Sequence, residues 1–148
     1  IRVHLLYSSA MRLEISKKDS ALQYLFSINK IVLAYVFGSQ INGTASKNSD
    51  LDVAILFGPN LTKMQRFNLR LLLIGKLEKI FKLKIDLVIL NDLRSLFFKY
   101  VIISEGKLLF KASEEEYLDF ECKLTGEYFD FKPFLDIQNK NYVKNSLQ

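Results

Sequence analysis

One cysteine, Cys122, and one histidine, His4, are all the chain holds of those two residue types. A lone cysteine makes neither an internal disulfide nor a thiolate zinc cluster, and the simplest setting for it is reducing and cytoplasmic. His4 lies outside any motif, so histidine-based catalysis and histidine-rich metal sites are not expected. Long apolar runs are missing too. No uncharged apolar stretch approaches the roughly 20 residues that span a bilayer. The N-terminus carries Arg2 but no long apolar core, so a signal peptide is not expected either. Met11 is read as the natural start, with Ile1 to Ala10 an upstream or expression remnant on which no function is built.

What remains is ordinary for a folded soluble protein. The chain has 148 residues, 49% apolar and 25% charged, which is the length of a single domain able to bury a proper core. The net charge of +5 is compatible with phosphate-bearing ligands. It is also common in proteins that bind no nucleic acid, and a direct nucleic-acid partner is not expected.

Taken in order, Ser16 to Asn29 reads as a short amphipathic helix, with Leu22, Leu25, Phe26 and Ile28 on its apolar side. Ile31 to Phe37 is continuously apolar, β-branched and aromatic, as in a strand buried on both faces. Gln40 to Asn48 is polar and reads as a loop or the start of a short helix. Leu51 to Phe57 is a second strand, stopped by Gly58-Pro59. Leu61 to Leu83 reads as a long helix with an apolar stripe through Leu61, Met64, Phe67, Leu71, Leu72, Leu77, Ile80 and Phe81, and a bend or break at Gly75. Its Lys63, Arg66 and Arg70 form either a solvated face or a contact surface for phosphate or an acidic partner. Lys84 to Leu90 is a third strand. Asp92 to Ser104 is a helix capped by Asn91 or Asp92, and Lys107 to Lys111 is a short edge strand. Ser113 with Glu116 forms a capping box that opens a final helix to about Phe131; Pro133 to Gln148 is read as a frayed tail. This order of elements is an α/β (α+β) two-layer domain.

The stretch Gly38 to Asp52, GSQINGTASKNSDLD, is the chemical centre. A Gly-Ser turn after a strand offers backbone N–H groups and a hydroxyl to a phosphate. Asp50 and Asp52 open the second strand, where alternation points both side chains to one face with Leu51 between them. Two adjacent carboxylates repel unless a cation lies between them, and hard divalent ions such as Mg²⁺ are held by carboxylates together with substrate phosphates. Asp86 interrupts the third apolar run. Desolvating a carboxylate there costs several kcal/mol unless it is paired, protonated or ligating metal. On the residues alone it is a strand-end or salt-bridged aspartate as readily as a ligand.

Gly-Ser followed ten residues later by Asp-x-Asp resembles the signature of nucleotidyltransferases related to DNA polymerase β. The short chain resembles a minimal nucleotidyltransferase, the class found as the antitoxin of HEPN toxin pairs. The resemblance implies a mixed sheet of about four strands with helices mainly on one face, plus a C-terminal helix. It implies a third metal carboxylate on a neighbouring strand, and Asp86 matches it in context. Transfer of a nucleoside monophosphate needs one positive centre to activate the acceptor hydroxyl and one to neutralise the leaving pyrophosphate. The expected cofactor is therefore Mg²⁺, two ions, with Mn²⁺ a substitute, and ATP is the substrate. Asp50, Asp52 and Asp86 are the expected catalytic and metal residues; Gly38, Ser39 and Ser49 are the nucleotide-binding candidates, with a plain loop role open for Ser49. Many relatives carry an arginine four residues after the glycine. Here that position is Asn42, with Lys47 a candidate replacement.

Three functions are compatible with this reading. One is adenylylation of a protein partner, a HEPN ribonuclease toxin. Another is modification of a small molecule, as in antibiotic-modifying relatives, which usually carry a further helical domain. The last is a non-catalytic antitoxin that neutralises its partner by contact, through aromatic residues such as Tyr117, Tyr128 and Phe131.

Overall fold

The structure, a computed structural model, describes residues 20–42 and 49–146. Within them, helix α1 (20–28) leads into strand β1 (Ile31–Phe37), the one-turn helix α2 (Ser39–Asn42), β2 (Leu51–Phe57), α3 (Lys63–Phe81), β3 (Ile85–Ile89), α4 (Leu96–Glu105), β4 (Lys107–Lys111) and α5 (Glu114–Ser146). The sheet order is β3-β2-β1-β4. β1 is antiparallel to both β2 and β4, and β2 runs parallel to β3. The sheet is therefore mixed and four-stranded, as expected.

The expected layering needs revision. Both faces of the sheet are apolar, because β1 and β2 carry large residues at even and odd positions alike, and each face has its own helices. On one side Ile31, Val36, Leu51, Val53, Ile55 and Leu87 pack against Leu22, Leu25 and Phe26 of α1 and Leu73, Leu77 and Phe81 of α3. On the other, Leu33, Tyr35 and Ala54 pack with Ile102 and Phe98 of α4 and Tyr117 and Phe120 of α5. Helices lie on both faces rather than mainly on one, which makes three layers.

Helix α3 begins with a capping box: Thr62 accepts from the Gln65 backbone N–H, and the Gln65 side chain accepts from the Thr62 backbone N–H. It ends at Lys82, whose left-handed φ of 57° closes the last turn. It runs unbroken through Gly75. Its buried residues are Leu73, Leu77 and Phe81, while Met64, Phe67, Leu71 and Leu72 of the expected stripe are exposed. Arg66 and Arg70 are not a freely solvated face, because both are half-buried and bonded within the chain. Arg66 makes two hydrogen bonds to Asp92, at 2.5 and 3.0 Å, and Arg70 donates to the Leu87 carbonyl at 2.7 Å. Together they fasten α3 to the outer edge of β3 and the turn beyond it.

That pairing also explains where α4 starts. Asp92 is engaged by Arg66, and Asn91 bonds both the N–H and the C=O of Phe57, at 2.8 and 3.0 Å. Neither is left to cap a helix, and Ser95 does so instead, accepting from Phe98 N–H. At the start of α5 Ser113 accepts from the Glu116 N–H, as its sequence position suggests. The helix then runs beyond Phe131 and through Pro133 to Ser146. Proline there leaves the Phe129 carbonyl without its helical donor; both residues are exposed. Residues 1–19 and 43–48, including His4, Met11, the first residues of the expected Ser16 helix and Lys47, lie outside the described residues, as does the side chain of Asn42. No described helix is long and apolar enough to cross a membrane.

Candidate active site

Three strand ends meet at one end of the sheet. β1 leaves where β2 enters, because the two are antiparallel, and β3 enters beside β2, because those two are parallel. The register makes a row across them: Phe37 faces Asp52, and Asp52 faces Asp86. Leu51, Val53, Ile85 and Leu87 are buried on the α1/α3 side, so alternation turns Asp52 and Asp86 to the opposite, α4/α5 side. Asp50 lies just ahead of β2 and is half-buried. The adjoining Leu51 N–H bonds the Lys84 carbonyl at 2.8 Å, which locks the two strand entries together.

The electrostatics follow from this placement. Burial, then the Asp86 carboxylate, then that of Asp50 hold the Asp52 carboxyl above the ordinary carboxylate range. Asp52 is the least solvated member of a row of like charges. Asp50 lies 3.9 Å from the Lys84 ammonium, a loose pair whose lysine side chain is 77% exposed. Among the described residues no group of three or more His, Cys, Asp or Glu is already drawn together around a metal position. The donor chemistry nonetheless fits a hard divalent ion: oxygen ligands only, and negative charge in excess at Asp52.

Gly38 closes the other side. Its φ is +79°, a conformation that side chains rarely adopt. A Cβ on it would collide with Asp52 Oδ2 and lie 3.1 Å from Asp52 Cγ. The chain then turns into α2, with Ile41 N–H bonded to the Gly38 carbonyl at 3.1 Å. Ser39 is half-buried at the first position of α2, and Ser49 is half-buried immediately before Asp50. Gly38, Asp52 and Asp86 are thus side by side, with Ser39, Ser49 and Asp50 next to them along the chain.

Two participants escaped the sequence reading. Lys84 is an unremarkable basic residue until the parallel pairing of β2 and β3 brings it beside Asp50; its spacing of two from Asp86 was the available signal. Tyr35 sits inside an apolar run, yet its hydroxyl donates to Glu121 of α5 at 3.0 Å and ties that helix to the sheet. Of the aromatic residues singled out in the sequence, Tyr128 is buried and stacked on Tyr100 at 4.0 Å, Tyr117 is half-buried and Phe131 is exposed.

The chain is similar to known proteins. Residues 20–115 match the family described as polymerase beta, nucleotidyltransferase. The protein adenylyltransferase MntA of Shewanella oneidensis is 32% identical over 102 residues, 69% of either chain. A chain of the crystal structure of a toxin–antitoxin with AMP-PNP superposes with a TM-score of 0.62 at 26% identity, covering 88% of this chain and 98% of that one. A chain from the complex of tri-AMPylated Shewanella oneidensis HEPN toxin with MNT antitoxin superposes with a TM-score of 0.60 over 90% of this chain and 99% of that one. At its 21% identity the likeness speaks for the fold alone.

Proposed function

Because the chain belongs to the polymerase β family of nucleotidyltransferases, we propose that it transfers AMP from ATP to a hydroxyl of a protein partner, as the antitoxin that adenylylates a HEPN ribonuclease toxin. The observation that carries the reading is the register that sets Asp86 directly beside Asp52, next to the Gly38 turn. The similarity to a named protein adenylyltransferase, and to a toxin–antitoxin structure with AMP-PNP, supports the donor and the kind of acceptor.

In the reaction an acceptor oxygen forms a bond to the α-phosphorus, the bond to pyrophosphate breaks, and the acceptor proton leaves. Asp50, Asp52 and Asp86 would hold Mg²⁺, which when bound lowers the pKa of the attacking hydroxyl and neutralises charge on the departing pyrophosphate. The chain's own groups do the rest. Gly38, lacking a Cβ, lets the backbone approach the triphosphate. Ser39 donates its hydroxyl to a phosphate oxygen, and Ser49 orients the entry to Asp50. Asp86, exposed on an edge strand, would receive the acceptor proton.

A second reading, neutralisation by contact alone, draws on the exposed Phe97, Phe129, Phe131 and Phe134 along α4 and α5. One experiment separates the two. The protein is incubated with ATP labelled at the α-phosphate, Mg²⁺ and the product of the neighbouring gene. Label on the partner that disappears in Asp50→Ala and Asp52→Ala supports transfer. A tight complex that survives both substitutions and never takes label overturns it in favour of the contact reading.

A further inference from the structure

Lys84 belongs to none of the roles assigned so far. It lies ahead of β3, two residues before Asp86, and its ammonium is 3.9 Å from Asp50 Oδ2. Among the described residues it is the one cation paired with any of the three carboxylates. The pair does not serve the fold. Both side chains are substantially exposed, 77% and 44%, and such pairs contribute next to nothing to stability. Its effect is on the local field. A positive charge at the end of a row of carboxylates opposes the entry of another cation and favours the entry of an anion. A free divalent ion carries charge +2, whereas its complex with a nucleoside triphosphate is net negative. Lys84 therefore acts on the two with opposite sign.

We propose that Lys84 is a specificity-determining residue that makes the carboxylate row take up the metal–nucleotide complex in preference to the free metal ion. The inference rests on the metal-and-nucleotide reading given above and deepens it. Without a nucleotide the ammonium stays by Asp50 and weakens the hold on a lone cation. When the triphosphate arrives, the same ammonium faces its negative charge, and its long exposed stem lets it turn from Asp50 toward the phosphates.

The test uses the full chain and two ligands, Mn²⁺ alone and Mn²⁺·AMP-PNP. Free Mn²⁺ is followed by electron paramagnetic resonance, and the nucleotide complex by calorimetry. In Lys84→Gln, Mn²⁺ alone binds about three- to tenfold more tightly at low salt, while Mn²⁺·AMP-PNP binds more weakly by a similar factor. Lys84→Arg keeps both affinities near the parent values. Raising the salt concentration shrinks both effects, which a purely structural role would not produce. Affinities that move in the same direction, or that do not move, overturn the role of Lys84 while parent binding stays intact. A parent protein that binds neither ligand, or whose Mn²⁺ binding is indifferent to Asp52→Asn, overturns the metal reading and this inference with it.

Discussion

Gly38 and Asp52 occupy the same corner so closely that a methyl group on the first would collide with the carboxylate of the second. The φ of +79° adds a second penalty for any side chain at this position, and a left-handed backbone alone costs an ordinary residue about 1–2 kcal/mol. Gly38→Ala is expected to lower stability by about that amount and to displace Asp52 as well. Nucleotidyl transfer should then fall far more than the loss of folded protein explains. Urea denaturation and a labelled-ATP assay on the same preparation check this. Full activity in the alanine variant would show that the turn and the carboxylate are independent.

Asp52 illustrates the cost of such a site. Its carboxyl is held above the ordinary value of 3.8 by burial and by its acidic neighbours. The sign follows directly. A group whose folded pKa is raised supports folding fully below its unfolded pKa and loses that support as pH rises through the folded value. Once pH exceeds the folded value Asp52 is ionised and the penalty is present in full. Asp52→Asn should therefore raise the thermal midpoint at neutral pH and flatten the acid side of the stability profile. Transfer should fall by about 10²–10³-fold, the scale of removing one preorganised electrostatic stabiliser. A destabilised Asn variant would contradict this account of the carboxylate row.

The site's outline was legible because chemistry and periodicity agree there. Gly38 after seven apolar residues and Asp50-x-Asp52 before the next run have little freedom once both runs are strands. Asp86 was reached through the family resemblance alone; the pairing of β3 with β2 that sets it beside Asp52 is stated by no local pattern. Lys84 carried only its spacing of two from Asp86 as a signal, and the same pairing is what brings it beside Asp50. The long helix was misread for another reason. From Leu69 to Ile74 every residue but Arg70 is apolar, so several stripes fit equally well, and tertiary packing selects the one through Leu73, Leu77 and Phe81. The caps at Asn91 and Asp92 were plausible locally and lost to distant partners, Phe57 and Arg66.

That choice of stripe is measurable. Leu73 is fully buried, whereas Met64 is 68% exposed. Leu73→Ala should cost about 2–5 kcal/mol, as large-to-small changes in a packed core do. Met64→Ala, in the same helix, should stay within about 0.5 kcal/mol of the parent. Chemical denaturation of the two variants decides the matter. Equal losses would mean that α3 presents a different face to the sheet.

The last relationship lies on the α4/α5 side of the sheet, where Tyr35 of β1 donates to Glu121 of α5 at 3.0 Å. Residues 20–115 match the family, and Glu121 lies beyond them, so this bond ties the helix that follows the matched region to the sheet. Burial first, and then the charge of Glu121, raise the Tyr35 phenol well above its ordinary value of 10.0; Tyr117, beside the same carboxylate, is raised too, again mainly by burial. Below pH 10 both folded and unfolded chains hold the Tyr35 proton, and the bond contributes fully. Above it the unfolded chain releases a proton that the folded chain keeps, so stability falls as pH rises. Tyr35→Phe should cost about 1 kcal/mol at neutral pH through the lost hydrogen bond. It should also make the alkaline decline shallower than in the parent, since phenylalanine has no proton to release. Urea midpoints taken from neutral pH upward past 10 compare the two slopes. If the curves of parent and variant ran parallel, Tyr35 would not be the group whose ionisation loosens α5.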